Sequence, residues 1–380
     1  MIEKVWAKNY RSLKDIQLML EPLTVLVGEN GVGKSNLVDV LRFLSGALLF
    51  GLDVAVGERM GINQLYRWVS EKVSTEIEIG ISLRQPTLVA QYSLVLGKSN
   101  PQRRTGAYSV CAERCVVTQQ GKQTEFHIQN GQWLSKPAGI SFPILPASLF
   151  LPFMAGLPPF KEVYETLTGM SFYDIRPSIV RGAQPLAKPY PLDVEGKNLA
   201  AALFELEQTQ KARVAELTTA LTYVLPEISR YVIENIGRHL VIKLQHEMNG
   251  DLSSAPWFEL SQESDGTLRI LGILTALYQK PARTLIAIEE PDITLHPNTI
   301  VRLWDELTDA SAHSQILLTT HSPELLDLCR AEQLRIVEKI DGDTYVGTID
   351  QLQKEIIQEK LASPGQLLKA QGALLRAIGD

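Results

Sequence analysis

The run Gly28-Glu29-Asn30-Gly31-Val32-Gly33-Lys34-Ser35 has the spacing G-x-x-x-x-G-K-[ST]. Three glycines let a backbone turn its N–H groups inward and approach an anion without Cβ clashes. Lys34 places a point charge against β- and γ-phosphates, and the Ser35 hydroxyl is an oxygen ligand for Mg²⁺. A helix starting near Lys34 adds the positive end of its dipole. This chemistry is that of a cradle for Mg-ATP.

A second group of chemical residues lies far along the chain. Thr284-Leu285-Ile286-Ala287-Ile288 is an apolar run that leads directly into Glu289-Glu290-Pro291-Asp292. In such an arrangement the first carboxylate belongs to the Mg²⁺ shell and the second polarises an attacking water. Glu289 is thus expected at the metal and Glu290 as the general base. His321 ends a further apolar run in Leu317-Leu318-Thr319-Thr320-His321-Ser322-Pro323. At a strand's C-terminal end it would face the crevice where α/β sheets bind ligands, within reach of a γ-phosphate or the water. His296, in Thr294-Leu295-His296-Pro297, is open to either a capping role or a part in arranging the turn after Glu290.

Positioning these groups requires particular elements. Leu23-Thr24-Val25-Leu26-Val27 reads as a buried strand, and Leu37, Val40, Leu41 and Leu44 recur at helical spacing after the glycine loop. The order is strand, loop, helix. From Glu76 to Ile128 the pattern becomes short alternating segments separated by turn residues, as in antiparallel hairpins. Residues 137–160 read as a connector. Asn198 to Leu225 carries a long helical stripe, with its charged face read as solvated. The last third alternates strand and helix again, with a helix over residues 298–310 and a strand at Gln315–Thr320, which implies a parallel sheet. The fold class is therefore α/β: residues 1–50 form the first part of an ATPase lobe and 51–250 a β-rich, then helical insertion. Residues 251–345 form the second part of the lobe, and 346–380 a helical tail.

Composition narrows the setting. Of 380 residues, 45% are hydrophobic and 21% charged, with a net charge of −6, so no global positive field draws the chain to nucleic acid or lipid. Nucleic acid remains an allowed partner, through Arg103-Arg104 or the Arg176, Arg181 and Lys188 region, although a solvated face accounts for both. Cys111, Cys115 and Cys329 are too few for a disulfide framework and read as bystander thiols. The N-terminus lacks a signal-peptide core, and no apolar stretch is long enough for a membrane span. A reduced, cytoplasmic protein is expected.

Several motifs together carry a family resemblance. Asn9-Tyr10-Arg11-Ser12-Leu13, GENGVGKSN through Asn36, Glu263-Ser264-Asp265-Gly266-Thr267-Leu268-Arg269, IEEPDITLHP and TTHSPELLD occur in that order. The chain resembles the RecF/SMC/OLD-type branch of the ATP-binding-cassette ATPases, and more closely the stand-alone bacterial "AAA family" ATPases. Phe172 to Pro177, Glu195 to Ala200 and the Ser363-Pro364-Gly365-Gln366-Leu367 segment add to that likeness, which spans nearly the whole chain. The resemblance implies a P-loop NTPase fold of the ABC, RecF/SMC head type. It implies that Arg11 and Ser12 lie beside the nucleotide, and that Ser264 and Gly266 form the signature segment facing the γ-phosphate of a second subunit. Residue by residue alone, Ser264 to Thr267 is also simply a helix cap and turn, and Leu260-Ser261 is an alternative register. The glutamine that usually senses Mg²⁺ is unassigned, Gln91 being a weak candidate.

These residues imply an ATP-driven switch: a homodimer of heads bridged by ATP, with ATP and Mg²⁺ as ligands. Three other functions compete. One is the ATPase subunit of a nuclease or anti-phage complex whose nuclease or effector is a separate chain. OLD-type nucleases carry a metal-binding domain after the ATPase, whereas about sixty residues follow His321 here, with Asp341-Gly342-Asp343 as the sole DxD and read as a surface turn. A membrane-transporter subunit fits less well, because some 250 residues separate the two nucleotide motifs. A binding module without catalysis is disfavoured by the presence of both Glu290 and His321.

Overall fold

Ile2–Tyr10 (β1) and Leu13–Met19 (β2) alternate buried and exposed residues and pair antiparallel, with Tyr10 opposite Leu13. Asn9 and Arg11 take positive φ at the turn between them. Leu23–Val27 (β3) is buried at every position, as expected of a strand covered on both faces. Lys34–Phe50 (α1) follows the glycine loop and is buried on most sides, Lys34 and Asp39 included. In the computed structural model these elements are accompanied by antiparallel strands, four long and the last short: Glu76–Gln85 (β4), Leu88–Lys98 (β5), Tyr108–Gln119 (β6), Lys122–Gln129 (β7) and Gln132–Ser135 (β8). The structure describes residues 1–67, 76–98, 108–140, 143–145, 147–185, 191–247, 255–359 and 361–370. Arg103, Arg104 and Lys188 lie outside them.

The chain divides into two units, Met1–Met170 with Ala331–Leu361, and Ser171–Arg330 with residues 362–370. In the first, a late hairpin, Leu334–Ile340 (β9) and Asp343–Gly347 (β10), returns to the N-terminal strands. Its turn, Asp341-Gly342, has both central residues at positive φ, which matches the right-handed twist of a hairpin. β9 pairs parallel to β3, and β10 meets β2 at Thr344 and Leu13. The strand order is β8-β7-β6-β5-β4-β1-β2-β10-β9-β3.

The stretch expected as a connector contains a short helix at Leu151–Met154 and the first turn of a second at Pro158–Thr168. The start of the short helix is capped by a buried carboxylate. Glu113 Oε2 accepts from Phe150 N at 2.5 Å, and Oε1 from Leu151 N at 2.8 Å and Tyr92 Oη at 2.9 Å. Burial pushes the Glu113 carboxyl up to about 7 despite these three donors.

In the second unit, Leu285–Glu289 and Gln315–Thr320 pair parallel, with Glu289 opposite Thr319. Asp265–Tyr278 (α2) precedes the first of these strands, and Pro297–Ala310 (α3) connects the two. A small antiparallel sheet joins Gln184–Pro185, His239–His246, Ile228–Ile236 and Trp257–Glu259. The long helical stripe from Asn198 to Leu225 is two helices, Leu199–Thr209 and Lys211–Val224, broken where Gln210 leaves helical geometry at φ −140°, ψ 57°. No proline or glycine marks the break, so the apolar period alone does not reveal it. Among the described residues no helix is long and apolar enough to cross a membrane.

Candidate nucleotide site

The loop ahead of α1 in the first unit is shaped from outside as well as by its own glycines. Gly33, at φ 111°, caps α1, and a Cβ there would lie 2.2 Å from Thr344 Oγ1. Thr344 Oγ1 donates to the Val32 carbonyl at 2.7 Å and shares a 2.6 Å hydrogen bond with Ser12 Oγ. Lys34 is buried, and its ammonium donates to the carbonyls of Gly28 and Glu29 at 2.7 and 2.9 Å. Asn30, Gly31 and Ser35 are exposed. A backbone cradle, one buried lysine and an exposed serine hydroxyl at a helix start suit a Mg²⁺-bound triphosphate.

Arg11 and Ser12 come to this loop through Asn36. The Asn36 side chain donates to Ser12 Oγ at 2.8 Å and accepts from Arg11 Nη1 at 3.4 Å. Arg11 Nη1 also lies 3.1 Å from Asp39 Oδ2. Asp39, which sequence reasoning missed, is the centre of a buried cluster. Arg59 Nη2 meets its Oδ1 at 2.6 Å, Arg59 Nε lies 3.1 Å from both oxygens, and Tyr10 Oη donates to Oδ2 at 2.6 Å. Burial alone would raise the Asp39 carboxyl, but Arg59, Arg11 and the tyrosine hold it below the usual carboxylate value. An aspartate five residues after the loop lysine, on the buried face of a helix, is the one sequence signal that pointed there.

The DxD triplet is only partly a surface turn. Asp343 is buried and receives both Arg67 Nε and Nη2 at 2.7 Å. It anchors the strand that carries Thr344. Gln91 sits exposed on β5, opposite Ser82 and Val116.

The carboxylate group lies in the second unit. Glu289 ends its strand, half-buried, and Glu290 follows at φ 46°. Glu290 N donates to the Thr319 carbonyl at 3.0 Å and to Thr319 Oγ1 at 3.2 Å, which ties the turn to the end of the neighbouring strand. One residue on, Thr320 Oγ1 donates to Asp292 Oδ1 at 2.8 Å. Burial raises the Asp292 carboxyl, with the Thr320 bond opposing it. His321 is exposed, and its Nδ1 lies 3.3 Å from Glu290 Oε1. The structure thus brings together the carboxylate and the histidine that the sequence singled out 31 residues apart. His296 caps α3, its Nδ1 accepting from Asn298 N at 3.3 Å.

Ser264 caps α2: its Oγ accepts from Thr267 N at 3.1 Å. The preceding turn is held by Arg181, which donates to the Glu263 carbonyl at 2.7 Å and pairs with Asp265. Glu263 is itself buried against His246 at 2.7 Å. Arg176 pairs with Asp174 and Glu195, each at 3.1 Å. Among the described residues no group of three His, Cys, Asp or Glu side chains could hold a metal.

Residues 23–327 match the family described as "AAA domain, putative AbiEii toxin, Type IV TA system". An "OLD nuclease" of Thermus scotoductus is 24% identical over 382 residues, covering 91% of this chain and 63% of that protein. The "Old nuclease" of Escherichia phage P2 is 22% identical over 389 residues, covering 96% of this chain and 63% of its own length. The chain therefore spans less than two thirds of these curated relatives. A solved SMC head, bound to the "C-winged helix domain" of ScpA, superposes with a TM-score of 0.56 at 17% identity, covering 93% of this chain and 99% of that one.

Proposed function

The chain belongs to this AAA-domain family, as an ABC-type ATPase domain of the RecF/SMC/OLD-like class, and from that premise we propose that it hydrolyses ATP and uses the cycle as a conformational switch. Asn30, Gly31, Val32, Gly33, Lys34, Ser35 and Asn36 hold the phosphates, with Arg11 and Ser12 beside the nucleotide. Ser35 and Glu289 hold Mg²⁺, which neutralises phosphate charge. Glu290 takes the proton from the attacking water, and His321 orients that carboxylate and the water. The observation that carries the reading is the contact between His321 and Glu290 at adjacent strand ends.

A P-loop covers only one side of a triphosphate, so a single head leaves the site half built. Ser264 and Gly266 at the start of α2 supply the other side in a second copy, and the active unit is an ATP-bridged homodimer. Turnover should rise with protein concentration, and Glu290→Gln with ATP should accumulate dimer in sedimentation. In mixtures of Lys34→Ala and Ser264→Arg subunits, the heterodimer should regain one composite site. Concentration-independent turnover by a strict monomer would rule the dimer out.

The 63% span of two OLD nucleases supports a second reading, an ATPase that serves a DNA-cleaving activity carried elsewhere. Co-purification from the native host separates the two: a co-eluting nuclease chain favours the second, and a homodimer alone favours the first.

A further inference from the structure

Arg269 lies on α2, five residues after the Ser264 cap, and only 8% of its surface is exposed. Its Nη1 reaches the Glu290 carbonyl at 3.5 Å, a long contact, and its Nε has no hydrogen-bond partner among the described residues. A buried guanidinium left this sparsely bonded is unfavourable unless charge compensates it. Four carboxylates act on it, those of Asp174, Asp292, Glu290 and Asp265.

Gly266, three residues earlier, supplies a second contact with the same turn. A Cβ there would sit 3.1 Å from the Thr294 carbonyl and 3.2 Å from Leu295 Cδ2. The first turns of α2 therefore lie against both ends of the segment from Glu290 to Leu295. That segment holds Glu290 and Thr294 at φ 46° and 67°, a region disfavoured for residues with a Cβ. The bond that closes its first turn is long, Ile293 N donating to the same Glu290 carbonyl at 3.4 Å, while Leu295 N donates to the Asp292 carbonyl at 3.1 Å. Thr319 and Thr320 hold this turn at Glu290 N and at Asp292, and Arg269 is the charged side chain that reaches the Glu290 carbonyl.

We propose that Arg269 is a positioning residue for Glu290, coupling the helix headed by Ser264 to the turn that carries the general base. The inference rests on the assignment of Glu290 as that base. Arg269 itself does not touch the water. Because Ser264 and Arg269 sit on one helix, a phosphate engaged at Ser264 would be felt at Glu290 as a change in how firmly this turn is held.

The test combines turnover, ATP affinity and hydrogen exchange on Arg269→Met and Arg269→Lys. Arg269→Met should keep ATP affinity within about twofold of wild type. It should lower kcat at least about tenfold, and Arg269→Lys, which keeps charge but loses the fork, should fall between. Amide exchange in peptides covering residues 290–296 should speed up about tenfold while α1 stays protected. In a Glu290→Gln background, Arg269→Met should cost no further turnover. Unchanged exchange at residues 290–296, or parallel loss of ATP affinity and kcat, overturns the proposal. If Arg269→Met does not fold, Arg269→Lys and Arg269→Gln are judged by the same criteria. Wild-type turnover by Glu290→Gln would remove the general-base assignment instead, while the exchange result still decides whether Arg269 holds the turn.

Discussion

His321 Nδ1 stands 3.3 Å from Glu290 Oε1, at the ends of two strands that run parallel with Glu289 opposite Thr319. A carboxylate held by an imidazole keeps its lone pairs aimed, which is what a base that must meet a water requires. Glu290→Gln should therefore bind ATP normally and lose about 100- to 10,000-fold in turnover. Because the two residues act as a unit, adding His321→Ala should slow Glu290→Gln by less than roughly threefold. Steady-state phosphate release from the two single variants and the double variant checks this.

Lys34→Ala should weaken ATP binding about ten- to a hundredfold, the span for one charge-assisted hydrogen bond. Calorimetric titration measures it, and unchanged affinity would remove the phosphate-cradle assignment.

Asp39→Ala strips the counter-charge from Arg59, whose side chain is 5% exposed. Loss of one member of a buried pair costs about 3–5 kcal/mol, and here Arg59 keeps the exposed Glu58 carboxylate, 3.6 Å from its Nη1. The double variant Asp39→Leu/Arg59→Met should recover most of that loss. Urea denaturation of the three proteins distinguishes a charge defect from a packing defect.

Glu113 should make stability depend on pH in a definite direction. Its carboxyl is raised from 4.5 to about 7 in the folded protein. Between these values the folded chain keeps a proton that the unfolded chain releases, so stability falls as pH rises through the window. The full penalty, up to about 3 kcal/mol, is present above pH 7. Glu113→Gln removes the titration, so it should gain on wild type between pH 5 and pH 8. Urea midpoints of both proteins at the two pH values give the difference, and parallel curves would show that Glu113 does not titrate there.

Local structure was legible in the sequence wherever a motif is contiguous. The glycine loop, the acidic pair after an apolar strand and the histidine after another each require a particular backbone, and each occupies the matching element. The hairpins from Glu76 onward were legible for the same reason, since strand alternation is a nearest-neighbour property. The bracing residues were not. Asp39 is marked only by its place on the buried face of α1, while Arg59, Thr344 and Arg269 act across chain separations that no period or spacing encodes. Asp343 shows the limit well: its turn, Asp341-Gly342, was readable, but its burial depends on Arg67, 276 residues away. The break at Gln210 was hidden for the opposite reason, because the residues on both sides keep a helical apolar period.

Thr344 closes on Val32 from 312 residues downstream. A ribosome adds about 5–20 residues each second, so roughly 15–60 s pass between the emergence of the loop and that of its brace. Through that interval the nascent chain exposes Gly31 to Ser35 without the hydroxyl that ties Val32 to Ser12. On the proposed nucleotide assignment, competence would be acquired late in synthesis, and a chain released before residue 344 would carry an intact motif without its brace.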